Sequence, residues 1–148
     1  MAEMDALDLI KDDHERLKDM FKRALKVDEP DARAALLHQI RAELVAHERM
    51  EEDVFYPALR ASSEAAKDIV LEGYEEHHVI DLILDEMFTV PEDAEQWGAK
   101  LKVLHENLEH HIEEEEGEMF KRARKSMSTE ALQDLGRQMR QAKEAASA

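Results

Sequence analysis

Cysteine is missing from this chain, and glycine (4 residues), proline (3 residues) and aromatic residues (5%) are scarce. Without thiols there are no disulfides, no thiolate metal ligands and no iron–sulfur cluster. The β-branched runs that make strands are absent as well. Positive charge is short too: 20 Lys and Arg stand against 36 Asp and Glu, a formal net charge of -16. Phosphate binding needs a basic face, so no nucleic-acid partner is expected. No apolar run approaches the roughly 18 residues of a membrane span. The opening MAEMDALDLIKDDHE lacks the basic start and apolar stretch of a secretory signal. A cytoplasmic protein with no membrane contact is the expectation.

What remains is Ala, Leu, Glu, Lys and Arg, a helix-forming mixture that predicts an all-α fold. The 148 residues suit a single domain spanning 1–148. Apolar residues at helical spacing predict helices over about 5–27, 31–60, 64–88 and 91–125. Pro57 should kink or close the second helix, and Gly117 should weaken the fourth. Ser62-Ser63-Glu64 reads as a turn with a capping serine. A short fifth helix with Leu132, Leu135 and Met139 follows, over about 129–145. Short connections favour antiparallel neighbours, hence an up-down-up-down four-helix bundle over about 5–125 with a C-terminal helix.

Two of these helices repeat one pattern. His47-Glu48-Arg49-Met50-Glu51-Glu52 is echoed by His111-Ile112-Glu113-Glu114-Glu115-Glu116. Residues four apart lie about 40° apart on a helix wheel, so His47 with Glu51, and His111 with Glu115, leave one face. That face is apolar: Leu36, Ile40, Leu44, Val54 and Ala58 surround the first pair in angle, and Trp97, Leu101, Leu104, Leu108 and Met119 the second. His14 and His77 sit on stripes of their own, 33 and 34 residues ahead of His47 and His111. The duplication predicts four histidines and two glutamates around a pseudo-two-fold axis.

A buried carboxylate without a partner costs several kcal/mol, so these groups call for cations. Glu51 and Glu115 can each bridge two metal ions, and the histidines supply two imidazoles to each. Imidazole and carboxylate without thiolate suit iron, with manganese or zinc as alternatives. Asp13, Glu48 and Glu76 are the nearby acids able to back the histidines.

The other candidates rank lower. His38 lies about 180° from His47 and His105 about 120° from His111, both toward solvent. His110 and His78 are each about 100° from their neighbours, with His78 an alternative ligand or a backing group. Asp81, one turn after His77, is read as a ligand or a hydrogen-bond acceptor. Tyr74, one turn before His77, packs in the core with a hydroxyl that could serve a bound oxygen species. Glu116 is about 140° off the His111 direction, and Glu113, Glu114 and Glu116 read as a solvated face. The scattered methionines read as core filling.

Asp13-His14, His47-x-x-x-Glu51-Glu52 with Phe55-Tyr56-Pro57, Glu76-His77, and His111-x-x-x-Glu115-Glu116 with Met119-Phe120 stand in one order over about residues 7–125. In this the chain resembles the hemerythrin-like (HHE cation-binding) family. The resemblance implies a four-helix bundle around two non-haem iron ions with a bridging oxo or hydroxo group and two bridging glutamates. Two departures stand out: Asp81 holds the place of a second histidine on the third helix, and the last histidine is followed by Glu115 and Glu116 instead of an aspartate at five residues. The resemblance implies binding of dioxygen, nitric oxide or peroxide, and links to oxygen or nitric-oxide sensing, iron handling and stress responses. A catalase-like peroxide-decomposing enzyme and a partner-binding module without redox chemistry are the competing expectations.

Overall fold

The computed structural model describes residues 3–147. Asp5 caps the first helix, α1 (Ala6–Lys26), through a reciprocal pair of bonds with Asp8. Glu29 takes the N–H groups of Asp31 and Ala32, and Pro30 opens α2 (Pro30–Met50), where a missing N–H costs nothing. A π turn (Glu51–Phe55) joins α2 to α3 (Tyr56–Ser62), so one rod runs on past Pro57. After a 3-10 turn (Glu64–Ala66) come α4 (Lys67–Met87) and α5 (Glu95–Glu114). A second π turn (Glu115–Met119) leads into α6 (Phe120–Ser126), and α7 (Thr129–Ser147) follows.

The fold is all-α: an antiparallel bundle of four rods with a C-terminal helix laid over α1 and α2. Two expectations need correction. Pro57 does not close its rod, because it falls at the start of α3, just past the π turn, where its fixed φ is tolerated. Ser63 makes no side-chain cap; Ser128 does, accepting from the Ala131 N–H at 3.1 Å.

Along the bundle, two apolar layers enclose a polar one. Ile10, Met50, Phe55, Val70, Met119, Leu132, Leu135 and Met139 belong to the layer on which α7 rests. Leu17, Phe21, Leu44, Ile80, Trp97, Leu104 and Leu108 belong to the other. His14 and His77 lie in sequence between members of the two layers. Gly136 lets α7 cross the start of α1 closely: a Cβ there would sit 2.9 Å from the Met4 carbonyl oxygen. No helix among the described residues is long and apolar enough to cross a membrane.

Candidate metal centre

Each rod contributes histidine or glutamate to the polar layer by local periodicity. His47 and Glu51 leave α2 on one face, with His47 Nε2 3.3 Å from Glu51 Oε1. His111 and Glu115 repeat this on α5, again at 3.3 Å. α1 brings His14 Nε2 to 3.0 Å from Glu115 Oε1, and α4 brings His77 Nε2 to 3.0 Å from Glu51 Oε1. All six residues singled out by the sequence meet here, none more than 2% exposed. Their donor atoms form two overlapping sets, each within 4.8 Å: His14, His47, Glu51 and Glu115; and Glu51, His77, His111 and Glu115.

The arrangement fits a pair of ions. Donors at right angles around an ion, each about 2.1 Å from it, lie about 3.0 Å apart, close to the His–Glu separations here. His47 Nε2 and Glu51 Oε2 are buried without a hydrogen-bond partner, which is costly unless something else satisfies them.

Every imidazole is held from behind through Nδ1. His47 donates to Asp13, His77 to Glu52 and His111 to Glu76, each at 2.7 Å, and His14 to Glu116 at 2.6 Å. This leaves each Nε2 facing the centre, the orientation that ligand histidines commonly take. Of the three backing acids expected, Asp13 and Glu76 serve and Glu48 does not. Glu52 and Glu116 were missed, and Glu116 is not part of a solvated face. Each follows a central glutamate directly and reaches a histidine of a neighbouring rod, a contact that no single-helix wheel displays.

The facing charges shift these buried groups strongly. Burial alone would lower the imidazoles, yet facing carboxylates outweigh it: Glu115 and Glu116 raise His14, Glu51 and Asp13 raise His47 well above the ordinary value, and Glu115 does the same for His111. His77, buried but bonded to Glu51 and Glu52, is pushed up to about 9. Glu51, despite burial, falls well below the carboxylate range beside His47. Without metal, imidazolium ions supply the positive charge that the two central glutamates need.

The π turns explain a residue that sequence reasoning passed over. Residues five apart on an α-helix point about 140° apart. Here the Tyr56 N–H bonds to the Glu51 carbonyl, five residues back, and the wider turn returns Tyr56 to the Glu51 face. Its hydroxyl is fully buried and donates to Glu115 Oε2 at 2.7 Å, with Glu51 Oε1 and His77 Nε2 each 3.4 Å away. Burial first, then the charges of Glu115 and Glu51, hold this phenol well above its ordinary pKa, so it stays a donor. Tyr74 instead gives its hydroxyl to the Glu52 carbonyl at 3.2 Å. A proline is not what makes the turn, since the second π turn has Lys121 at the matching place. Gly117 falls inside that second turn.

The remaining candidates lie outside both donor sets. Asp81 faces Glu48, whose carboxyl burial and the Asp81 charge push up to about 9. His78 and His38 are exposed. His105 does not face solvent as expected: it stacks on Phe21 at 5.5 Å and pairs with Glu109 at 2.9 Å. The wheel placed it off the His111 face but could not show that α1 covers it.

The model of the Hemerythrin HHE cation binding domain matches residues 5–123. An uncharacterised Mycobacterium tuberculosis protein, Rv2633c, is 30% identical over 138 residues, covering 92% of this chain and 83% of that protein. A DNA nickase of Nostoc sp. is 24% identical over 141 residues; the chain spans 40% of that protein's length. The crystal structure of an HHE cation-binding domain protein from Mycobacterium kansasii, the Rv2633c homolog, superposes with a TM-score of 0.86 at 24% identity, over 97% of this chain and 88% of that one.

Proposed function

The chain belongs to the Hemerythrin HHE cation-binding domain family, and from that premise we propose that it is a non-haem di-iron protein that binds or reacts with dioxygen, nitric oxide or peroxide. One observation carries the reading: four inward-facing Nε2 atoms and two shared carboxylates fall into two overlapping donor sets. His14 and His47 would hold one ion and His77 and His111 the other, with Glu51 and Glu115 available to both. Manganese or zinc would suit the same donors less specifically. When bound, the ions supply redox-active cationic charge and a binding position for a small ligand.

The chain's own residues do the rest. Asp13, Glu52, Glu76 and Glu116 fix the imidazole tautomers, and the apolar layers on either side keep bulk water out. The protons that the imidazoles carry in the metal-free state must leave as ions enter, so loading weakens as pH falls. Cytoplasmic placement and the absence of a nucleic-acid partner belong to the same proposal; the net charge of -16 supports the latter, since it leaves no basic surplus for phosphate.

The test is metal analysis of protein produced with iron, together with its visible spectrum. About two irons per chain and charge-transfer absorption are expected, both lost in a Glu51→Ala/Glu115→Ala double variant. A colourless protein without metal would overturn the reading. Oxygen evolution from peroxide above the rate of free iron would separate a peroxide-decomposing enzyme from a ligand binder.

A further inference from the structure

The pseudo-two-fold relation pairs His14 with His77, His47 with His111 and Glu51 with Glu115, and it extends to the backing acids. It fails at two places beside the centre. After the first π turn stands Tyr56; after the second, with the same backbone bond to Glu115, stands Phe120. One turn before His77 stands Gly73; one turn before His14 stands Ile10.

These two differences belong together. A Cβ on Gly73 would lie 2.9 Å from the Tyr56 hydroxyl oxygen and 3.0 Å from Cζ, closer than side chains approach. Gly73 has an ordinary helical φ, so its missing side chain is used as space and not for conformational freedom. That space admits the phenol to the centre, its ring stacked on His77 at 5.5 Å and edge-on to Tyr74 at 5.1 Å. In the other half, neither Ile10 nor Phe120 carries a hydrogen-bond donor on its side chain.

The hydroxyl is also placed unevenly on the shared glutamate. Glu115 turns Oε1 to His14 and Oε2 to His111, and Tyr56 donates to Oε2. Such a bond draws electron density from the oxygen that would serve the His77/His111 ion. It would leave an ion on that side the less fully neutralised of the two.

We infer that Tyr56, admitted by Gly73, is a positioning residue that makes the two ion positions inequivalent and directs a small anionic ligand, of the class of azide or a reduced oxygen species, to the His77/His111 side. The inference rests on the di-iron reading above. Its test loads the wild-type chain and Tyr56→Phe with 57Fe, measures iron per chain, records Mössbauer spectra and titrates azide by visible absorption. Wild type should show two distinct iron environments and bind azide. Tyr56→Phe should keep both irons, show environments drawn together and bind azide about tenfold more weakly, the loss expected for one hydrogen bond to a charged group.

Gly73→Ala, which displaces the hydroxyl without removing it, should move both readouts the same way; it carries the test should circular dichroism show Tyr56→Phe unfolded. Unchanged azide affinity and unchanged iron inequivalence in a variant with two irons would overturn the inference and leave the di-iron reading standing. A wild-type chain that takes up no iron would overturn both, and one that takes up iron but binds no azide would overturn the inference alone.

Discussion

The half built from α1 to α3 and the half built from α4 to α6 offer the centre the same donors, yet they are supported differently. Asp13, which backs His47, is itself held by Arg16 and by Lys143 of α7. Burial would raise Asp13, but His47 and Lys143 outweigh it and lower its pKa. Glu76, which backs His111, has no lysine or arginine paired with it among the described residues. Its neighbours are His110, 3.6 Å away, and Glu114, whose carboxyl is raised to about 6 chiefly by its bond to Glu76. A second difference concerns α2 and α4, where Glu48 and Asp81 face each other; the matching positions are Ile112 and Lys18. The two halves agree at the centre, Tyr56 and Phe120 apart, and in having an acid behind every histidine, and diverge in what surrounds those acids. Groups that meet one another at the buried centre are constrained in type more than what surrounds them.

The largest expected effect tests what the halves share. In metal-free protein, Glu51 and Glu52 outweigh burial and push His77 up to about 9 from an ordinary 6.5. The folded state therefore binds the proton more tightly. Its contribution is complete below pH about 6.5 and lost as pH rises through about 9, on the order of 3 kcal/mol. Urea unfolding in the presence of chelator should show stability falling across that window. Metal-loaded protein should become easier to strip as pH falls, since protons and ions compete for the same nitrogens. Metal-free stability that rises with pH would break the claim that imidazolium ions compensate the glutamates.

Next comes the difference in bracing. Asp13→Asn and Glu76→Gln should each weaken metal binding by about 10- to 100-fold, measured by chelator competition. Asp13→Asn should cost more. Its side chain is 3% exposed against 20% for Glu76, so water cannot replace the lost acceptor and Lys143 is left without its buried partner. Equal losses would show that the brace is irrelevant.

Glu48 adds a separate dependence on pH. Burial, with Asp81 beside it, pushes its carboxyl up to about 9 from an ordinary 4.5. Between those values the unfolded chain releases a proton that the folded chain retains, so stability falls as pH rises. Glu48→Gln removes that penalty and should stabilise metal-free protein at pH 8, with little change near pH 4, read from urea midpoints. The smallest effect is Lys143→Ala, which should change metal affinity less than about fivefold, because a partly exposed ion pair contributes about 1 kcal/mol or less. A larger loss would mean that α7 holds the His47 side of the centre in place.

Much of the centre was legible because it obeys helix periodicity. His47 with Glu51 and His111 with Glu115 need only the i,i+4 rule, and His14 and His77 only their apolar stripes. Asp13 and Glu76 could be suspected because each precedes a histidine, although each backs the histidine of a different rod. Glu52, Glu116 and Tyr56 were out of reach for a common reason. The first two act across rods, and the third depends on a π turn that shifts the phase of everything after Glu51. The pairing of Phe55-Tyr56 with Met119-Phe120 was the available signal, since it placed an aromatic with a hydroxyl against one without.

By itself the sequence determined the helical class, the order of the rods and which six side chains share the buried faces, because these follow from residue spacing along single helices. Only the tertiary structure decided which acid backs which histidine, where the helical phase slips and which tyrosine enters the centre. Those outcomes depend on distances between rods and on the space left by Gly73, and spacing along one rod contains neither.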